Sequence, residues 1–422
     1  MKHKGLKLGL VLLAIALALA GALWYFNYDK ETKAKKAQIA KEQEALVEVV
    51  KTHYSKKVVT SRVTGLYQKI DNQFELRGSI GKNLEVNLWG LEIGKGDEYF
   101  PLADLPGYFI NYKDVMPKDE TQPSAFVDTR FNSLIPFDQN VVTTNKTDFY
   151  QYDGSIYVSL YEGVNLPLIV NEDAKYGVSY LGRLLWINKT QATLEAHENS
   201  DARLATQVRA LCYHKMYDKT QTSCNTVICN ELGQMRSHFN YLTENGYYFM
   251  SMQDMVWWLK GQIQIPYNSL CLTFDDGGTN TTLLVSLLNE YQIHGTLFLI
   301  GSIYYDAMRS NYLELQSHTY DLHKYGECNL TPRGSAFVCR STEEVTADVL
   351  KSKNLTSAIA FCYPFYEYTQ ERKELIKSLG FKLAFGDDYG LIDQGSDPYL
   401  LSRYTCVSST SVNEMAYALH HD

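Results

Sequence analysis

The sequence predicts an α/β domain in its C-terminal half, preceded by two small all-β modules and an N-terminal membrane-spanning helix. Three observations carry this. Leu8 to Phe26 is an uncharged apolar run, and Val58 to Ala192 reads as short alternating strands separated by turn residues. Beyond Ala205, strand-like runs (Arg209–Tyr213, Ser269–Phe274, Thr296–Ile300) alternate with helical stretches (Thr282–Tyr291, Thr342–Lys351), the pattern of a parallel β/α domain.

Residues 1–28 come first. The apolar run reaches the lower range of a membrane-spanning length. Lys2, Lys4 and Lys7 on its short side place that end in the cytoplasm. A cleaved signal peptide with Ala18-Leu-Ala20 at the cleavage site is the rival reading. Both readings export the rest of the chain, as a single-pass cell-membrane protein with an extracellular catalytic part or as a secreted one. Residues 29–57 are rich in Lys, Glu and Ala, without Gly or Pro, and read as a helical stalk.

Two β modules come next, over residues 58–120 and 135–192. Val58-Val-Thr-Ser-Arg-Val-Thr-Gly-Leu-Tyr-Gln68 is echoed by Val141-Val-Thr-Thr-Asn-Lys-Thr-Asp-Phe-Tyr-Gln151, an internal repeat that suggests two small barrels. They resemble the bacterial Src-homology-3-like modules attached to cell-wall enzymes, which implies either wall binding or a spacer role. Thr193 to Leu204 is polar, a plausible linker into the domain at 205–422.

The chemistry concentrates in that domain. Cys271-Leu-Thr-Phe-Asp-Asp-Gly-Gly278 ends an apolar strand in two adjacent carboxylates, which alternation sends to different sides. Further on, His318 and His323 stand five residues apart in Ser317-His-Thr-Tyr-Asp-Leu-His323. One carboxylate with two neutral imidazoles leaves positions open for water and a substrate oxygen, the layout of a hydrolytic metal site. The other carboxylate is then free to serve as base.

These two runs resemble the first two motifs of the polysaccharide deacetylases (carbohydrate esterase family four, NodB-homology domain). The histidine spacing is similar to the branch acting on poly-N-acetylglucosamine. The resemblance covers about half the chain and implies a distorted (β/α) barrel. It also implies a hydrolase of carbon–nitrogen bonds in linear amides, removing N-acetyl groups from an N-acetylglucosamine polymer in the extracellular matrix or cell wall and releasing acetate. Peptidoglycan is the alternative substrate, and a wall-binding protein with an inactive deacetylase domain the alternative class. By the same resemblance Asp276, His318 and His323 hold a divalent cation, zinc foremost, and Asp275 is the base. Phe361-Cys-Tyr-Pro-Phe-Tyr366 occupies the place of the third motif, with Cys362 where many members carry arginine. Tyr363, Pro364 and Phe365 would then border the substrate and oxyanion, with His214 in the same pocket.

Net charge of −8 argues against generic nucleic-acid binding, which favours a basic face. All eight cysteines lie between Cys212 and Cys406. In an exported domain, Cys224 with Cys229 and Cys328 with Cys339 are candidate disulfides, whereas Cys212, Cys271 and Cys362 sit in apolar runs as buried thiols.

Overall fold

The computed structural model describes residues 30–38, 40–41, 56–89, 92–93, 98–103, 105–118, 126–180, 182–197, 202–278, 280–386 and 389–421. The apolar run Leu8 to Phe26, and the membrane-helix expectation with it, lies outside those residues. No helix among the described residues is long and apolar enough to cross a membrane. Within the stretch read as a stalk, residues 30–38 and 40–41 are helical.

Packing divides the chain into two compact units. One comprises Met1–Ala125, Val142–Val164 and Tyr180–Thr193; the other comprises Phe126–Val141, Asn165–Ser179 and Leu194–Asp422. The first is made of short antiparallel strands. Lys56–Thr60 pairs with Glu85–Leu88 and with Val115–Pro117, and Thr64–Ile70 pairs with Gln73–Ile80 and Tyr108–Asn111. The Thr64–Gln73 hairpin turns through Asp71 (φ 48°) and Asn72 (φ 66°), both in the left-handed region that a two-residue hairpin turn needs and that Asp and Asn tolerate. Val58, Leu66, Ile80 and Ile110 are fully buried. Both copies of the repeat fold as strand, short turn, strand: Lys56–Thr60 with Thr64–Ile70, and Gln139–Thr143 with Thr147–Tyr150.

The second unit is built on six parallel strands: β1 (Gln207–Tyr213), β2 (Ser269–Asp276), β3 (Gly295–Leu299), β4 (Leu313–Ser317), β5 (Ala360–Cys362) and β6 (Leu383–Phe385). They pair consecutively from β1 to β6. The β2 strand is buried along its length until Asp276, which explains its near-continuous apolar sequence. Helices α1 (Leu232–Glu244), α2 (Met252–Leu259), α3 (Thr281–Tyr291), α4 (Ala336–Cys339), α5 (Thr342–Thr356), α6 (Gln370–Ser378) and α7 (Val412–Ala418) lie between or after the strands. Capping boxes start three of them, Ser251 with Asp254 at α2, Ser341 with Glu344 at α5 and Ser411 with Glu414 at α7. After β6 the chain bonds back to Ala384 and Gly386 through Leu401. It then pairs β7 (Tyr404–Thr405) in parallel with β1. The segment between them therefore runs from the last strand to the first.

Two stretches upstream of β1 belong to this unit. Arg130 Nη1 donates to Asp254 Oδ2 at 3.0 Å, and Trp257 Nε1 donates to Glu172 Oε1 at 2.7 Å. The Asn171 amide donates to the Gln262 carbonyl at 2.8 Å. Cys224–Cys229 and Cys328–Cys339 are disulfides, as the sequence suggested. Cys212, Cys271, Cys362 and Cys406 are buried thiols.

Candidate active site

The site lies at the C-terminal ends of β1, β2, β4 and β5, where parallel β/α domains present their chemistry. At the end of β2 the backbone turns sharply: Asp276 (φ 71°), Gly277 (φ 89°) and Gly278 (φ 108°) are all left-handed. Gly277 suits this turn, because its φ is one that L side chains rarely adopt and a Cβ there would stand 2.6 Å from Leu299 Cδ1, which would have to shift. This turn separates the two carboxylates.

Asp276 faces the histidines. Its Oδ1 lies 3.7 Å from His318 Nε2 and 3.5 Å from His323 Nε2. That oxygen is buried and has no hydrogen-bond partner among the described residues. An unsatisfied buried carboxylate oxygen costs on the order of 1–3 kcal/mol or more, and a divalent cation among these three groups would offset it. The ligand-type atoms of Asp276, His318 and His323 all lie within 4.8 Å of one another. The histidines are also chemically prepared. His318 Nδ1 lies 2.8 Å from the Cys362 carbonyl, which can only accept, so Nδ1 carries the proton and Nε2 offers its lone pair toward Asp276. Burial pushes the His318 imidazole down to about 4, against the nearby carboxylates, so it is neutral at physiological pH. The residues fit a divalent cation.

The loop carrying the histidines is held from below. Thr319 adopts φ 68°, a strained conformation for a β-branched residue. Its hydroxyl accepts from the Leu322 amide at 3.1 Å, and its carbonyl from the Gly301 amide at 3.0 Å. Asp348, on α5, accepts from the amides of Tyr320 (2.7 Å) and Asp321 (2.8 Å). Asp321 itself points outward and pairs with Lys324.

Asp275 is buried against Arg403, and its carboxylate also lies within 4.8 Å of the ligand atoms of His318 and Cys362. The guanidinium donates from Nη1 to Oδ1 at 2.7 Å and from Nη2 to Oδ2 at 2.8 Å. Burial alone would raise the Asp275 carboxyl, but the Arg403 charge outweighs it and holds the group well below the usual carboxylate range. Cys362 Sγ touches both partners, 2.9 Å from Arg403 Nη2 and 3.5 Å from Asp275 Oδ2. The third-motif run thus lacks an arginine of its own, and Arg403 supplies a guanidinium from the strand-like segment before β7. Sequence reasoning did not assign Arg403 to Asp275, although an arginine beside the β-type run Tyr404-Thr-Cys406 was a signal of a buried charge.

His214 stands 3.6 Å from Asp275 Oδ2 through Nε2. The tyrosine hydroxyl of Tyr366 is near it, at 3.5 Å. Pro364, Phe365 and Tyr366 form a single turn in which the amides of Tyr366 and Glu367 bond the carbonyls of Tyr363 and Pro364. Phe365 (φ 55°) and Tyr366 (φ 61°) are left-handed. The Phe365 ring lies 4.4 Å from the His323 ring. Tyr363, read from sequence as a substrate neighbour, turns its side chain into the core beside Phe337, Phe361 and Tyr368, with its hydroxyl on the Tyr399 carbonyl. His420, by contrast, stacks on Tyr267 and bonds Tyr247.

Fold and site together define a parallel β/α domain with a hydrolase-type arrangement of carboxylates and imidazoles at its strand ends. Residues 264–384 match the polysaccharide deacetylase family, so the chain carries a domain of that family, a deacetylase hydrolase. Among solved structures, IcaB from Ammonifex degensii is 21% identical, with a TM-score of 0.43, covering 51% of this chain and 99% of that one. A Streptococcus pyogenes deacetylase solved with acetate is 16% identical, TM-score 0.43, with the same 51% and 99% coverage. A polysaccharide deacetylase from Bacillus cereus is 15% identical, TM-score 0.42, covering 85% of this chain and 99% of that one. No curated protein sequence matches the chain.

Proposed function

We propose that the protein hydrolyses N-acetyl groups of an N-acetylglucosamine-containing extracellular or cell-wall polysaccharide, using a divalent cation held by Asp276, His318 and His323. The observation that carries the reading is the convergence of these three groups, with Asp276 Oδ1 buried and unpartnered, beside a separately held and ionised Asp275. A cation bound there supplies Lewis acidity and makes a water acidic enough to lose its proton near neutral pH.

The chain's own residues do the rest. Asp275, clamped by Arg403, accepts the proton of the attacking water at Oδ2, the oxygen that His214 approaches. His214 stands where it can exchange that proton and return it to the leaving amine. The turn at Pro364–Tyr366 leaves the Phe365 amide to meet the developing oxyanion, since its bonds use the amides of Tyr366 and Glu367. The run of strands from β1 to β6, returned to β1 through β7, reads as the distorted (β/α) barrel of the family. Zinc is the ion this donor set suits. The histidine spacing and the Tyr-Pro form of the third motif favour poly-N-acetylglucosamine over peptidoglycan.

The apolar run at residues 8–26 would anchor the chain in the bacterial membrane with the catalytic unit outside, and the β modules would hold it near the wall. The deciding experiment measures acetate release by the purified ectodomain from poly-N-acetylglucosamine and from peptidoglycan, with and without a chelator. Release from neither substrate after reloading with zinc rules the reading out.

A further inference from the structure

Beside the histidines stands an aromatic surface that the chemistry does not use. Tyr325 follows His323 by two residues and is 71% exposed, yet its ring lies stacked on Phe365 at 5.1 Å and 5°. Phe365 in turn rests against His323, so the three rings form a stack running outward from the candidate metal ligands. Arg333 lies over the Phe365 ring, its guanidinium 5.8 Å from the ring centre.

An exposed tyrosine normally samples several rotamers; here its backbone and support are fixed. Tyr325 bridges to Ser335, and the Gly326 amide donates to the Gly334 carbonyl at 2.6 Å. The Cys328–Cys339 disulfide closes the loop. Glu367, immediately after the Phe365 turn, accepts from the Thr331 hydroxyl (2.8 Å), the Ser335 amide (3.0 Å) and the Arg333 amide. One buried carboxylate thereby ties the loop bearing Tyr325 to the turn bearing Phe365. Gly334 (φ 57°) admits this closure, because a Cβ would stand 2.3 Å from the Cys328 carbonyl oxygen.

We propose that the exposed Tyr325 ring, backed by Phe365 and with Arg333 close by, is a preorganised platform that binds a sugar ring of the polymer next to the unit being deacetylated. The proposal rests on the deacetylase reading for its choice of ligand. A pyranose presents an apolar face of C–H groups ringed by hydroxyls. The open face of Tyr325, with its phenol hydroxyl and the nearby Arg333 guanidinium, matches both features. Holding the rings in place beforehand removes ordering entropy from binding. Tyr325 is therefore a positioning residue that registers the chain so that one acetamido group meets the site.

The test measures binding of a β-linked N-acetylglucosamine tetramer to zinc-loaded Asp275→Asn protein by calorimetry, and turnover of the tetramer and of 4-nitrophenyl acetate by the protein with Asp275 intact. Tyr325→Ala is expected to weaken tetramer binding about tenfold, roughly 1.4 kcal/mol. It should raise KM for the tetramer more than it lowers kcat, with ion content and small-ester hydrolysis unchanged. Tyr325→Trp should restore binding. Tetramer affinity equal in Tyr325→Ala and its parent, or no tetramer binding by the parent, overturns the platform. Tetramer binding through Tyr325 in the Asp275→Asn protein, with no acetate released by the protein that keeps Asp275, overturns the deacetylase reading and leaves the platform standing.

Discussion

Arg403 holds Asp275 through two parallel hydrogen bonds of 2.7 and 2.8 Å, across 128 residues of sequence, with both side chains 1% exposed. A carboxylate in such a pocket survives as an ion only because a planar guanidinium meets it with two donors. Removing the cation in Arg403→Ala strands a buried charge, and stability should fall by about 3–5 kcal/mol. Arg403→Lys keeps the charge but offers a point donor in place of the fork. Deacetylation should fall at least about tenfold in that variant, as Asp275 loses its fixed orientation. Thermal unfolding and acetate release check the two effects, and an Arg403→Ala protein as stable as wild type would contradict the account of the pair.

The separation of roles between the adjacent carboxylates makes a second prediction. His318→Ala and His323→Ala should each lose most of the bound ion, because three protein ligands become two. Asp275→Asn should keep the ion and lose activity at least about a hundredfold, the low end for a general base. Elemental analysis of the variants decides it. An ion lost in Asp275→Asn and retained in Asp276→Asn would reverse the assignment.

What the sequence made legible about the site is what local geometry encodes. Asp275 and Asp276 are neighbours on one strand end, and His318 and His323 share one short loop, so alternation and spacing predicted their grouping. Arg403 and Asp348 act from distant segments. Their partners lie 128 and 28 residues away, and nothing in a buried arginine or a helical aspartate says which group it will meet. Tyr363 shows the converse limit. Its place in a motif-like run suggested the pocket, but a side chain in an extended segment has two faces to choose from, and the core took it. In the N-terminal half the repeat was readable as strand–turn–strand. Long-range packing decides which strands share a unit with the catalytic residues, and periodicity does not record it.

Glu367 yields a pH prediction. Burial would raise its carboxyl, but the donors from Arg333, Thr331 and Ser335 outweigh it and hold the group below the usual glutamate range. A depressed folded-state value means that the stabilisation is fully present above the unfolded value near 4.3 and is lost as pH falls through the folded one. Protection factors of the 326–335 amides, taken against the intrinsic exchange rate at each pH, should therefore be high at pH 6–7 and fall below about pH 4. In Glu367→Gln that acid-dependent loss of protection should disappear, leaving the loop less protected throughout. An identical pH profile in the variant would show that Glu367 does not hold the loop.

Where the catalytic unit begins is the last matter that can be tested. Arg130 and Glu172 reach residues of α2 by charged and polar contacts, and the Asn171 amide bonds the loop after it. A chain starting near Ser200 loses all three. It leaves Asp254 without its guanidinium and uncovers Trp257, now only 6% exposed. Re-exposing one large side chain costs about 2–3 kcal/mol, and each hydrogen bond about 1 kcal/mol more. For a domain of this size that corresponds to a fall in Tm of roughly ten degrees. A chain starting at Phe126 keeps these partners, and its catalytic unit should unfold at a higher temperature than that of the chain starting near Ser200. Because Asp275, Asp276, His318 and His323 all lie beyond Ser200, the shorter chain should retain its ion and its activity on a soluble oligosaccharide at temperatures below its own unfolding. Equal Tm values for the two truncations would mean that the 126–141 and 165–179 segments contribute nothing to the catalytic unit's stability.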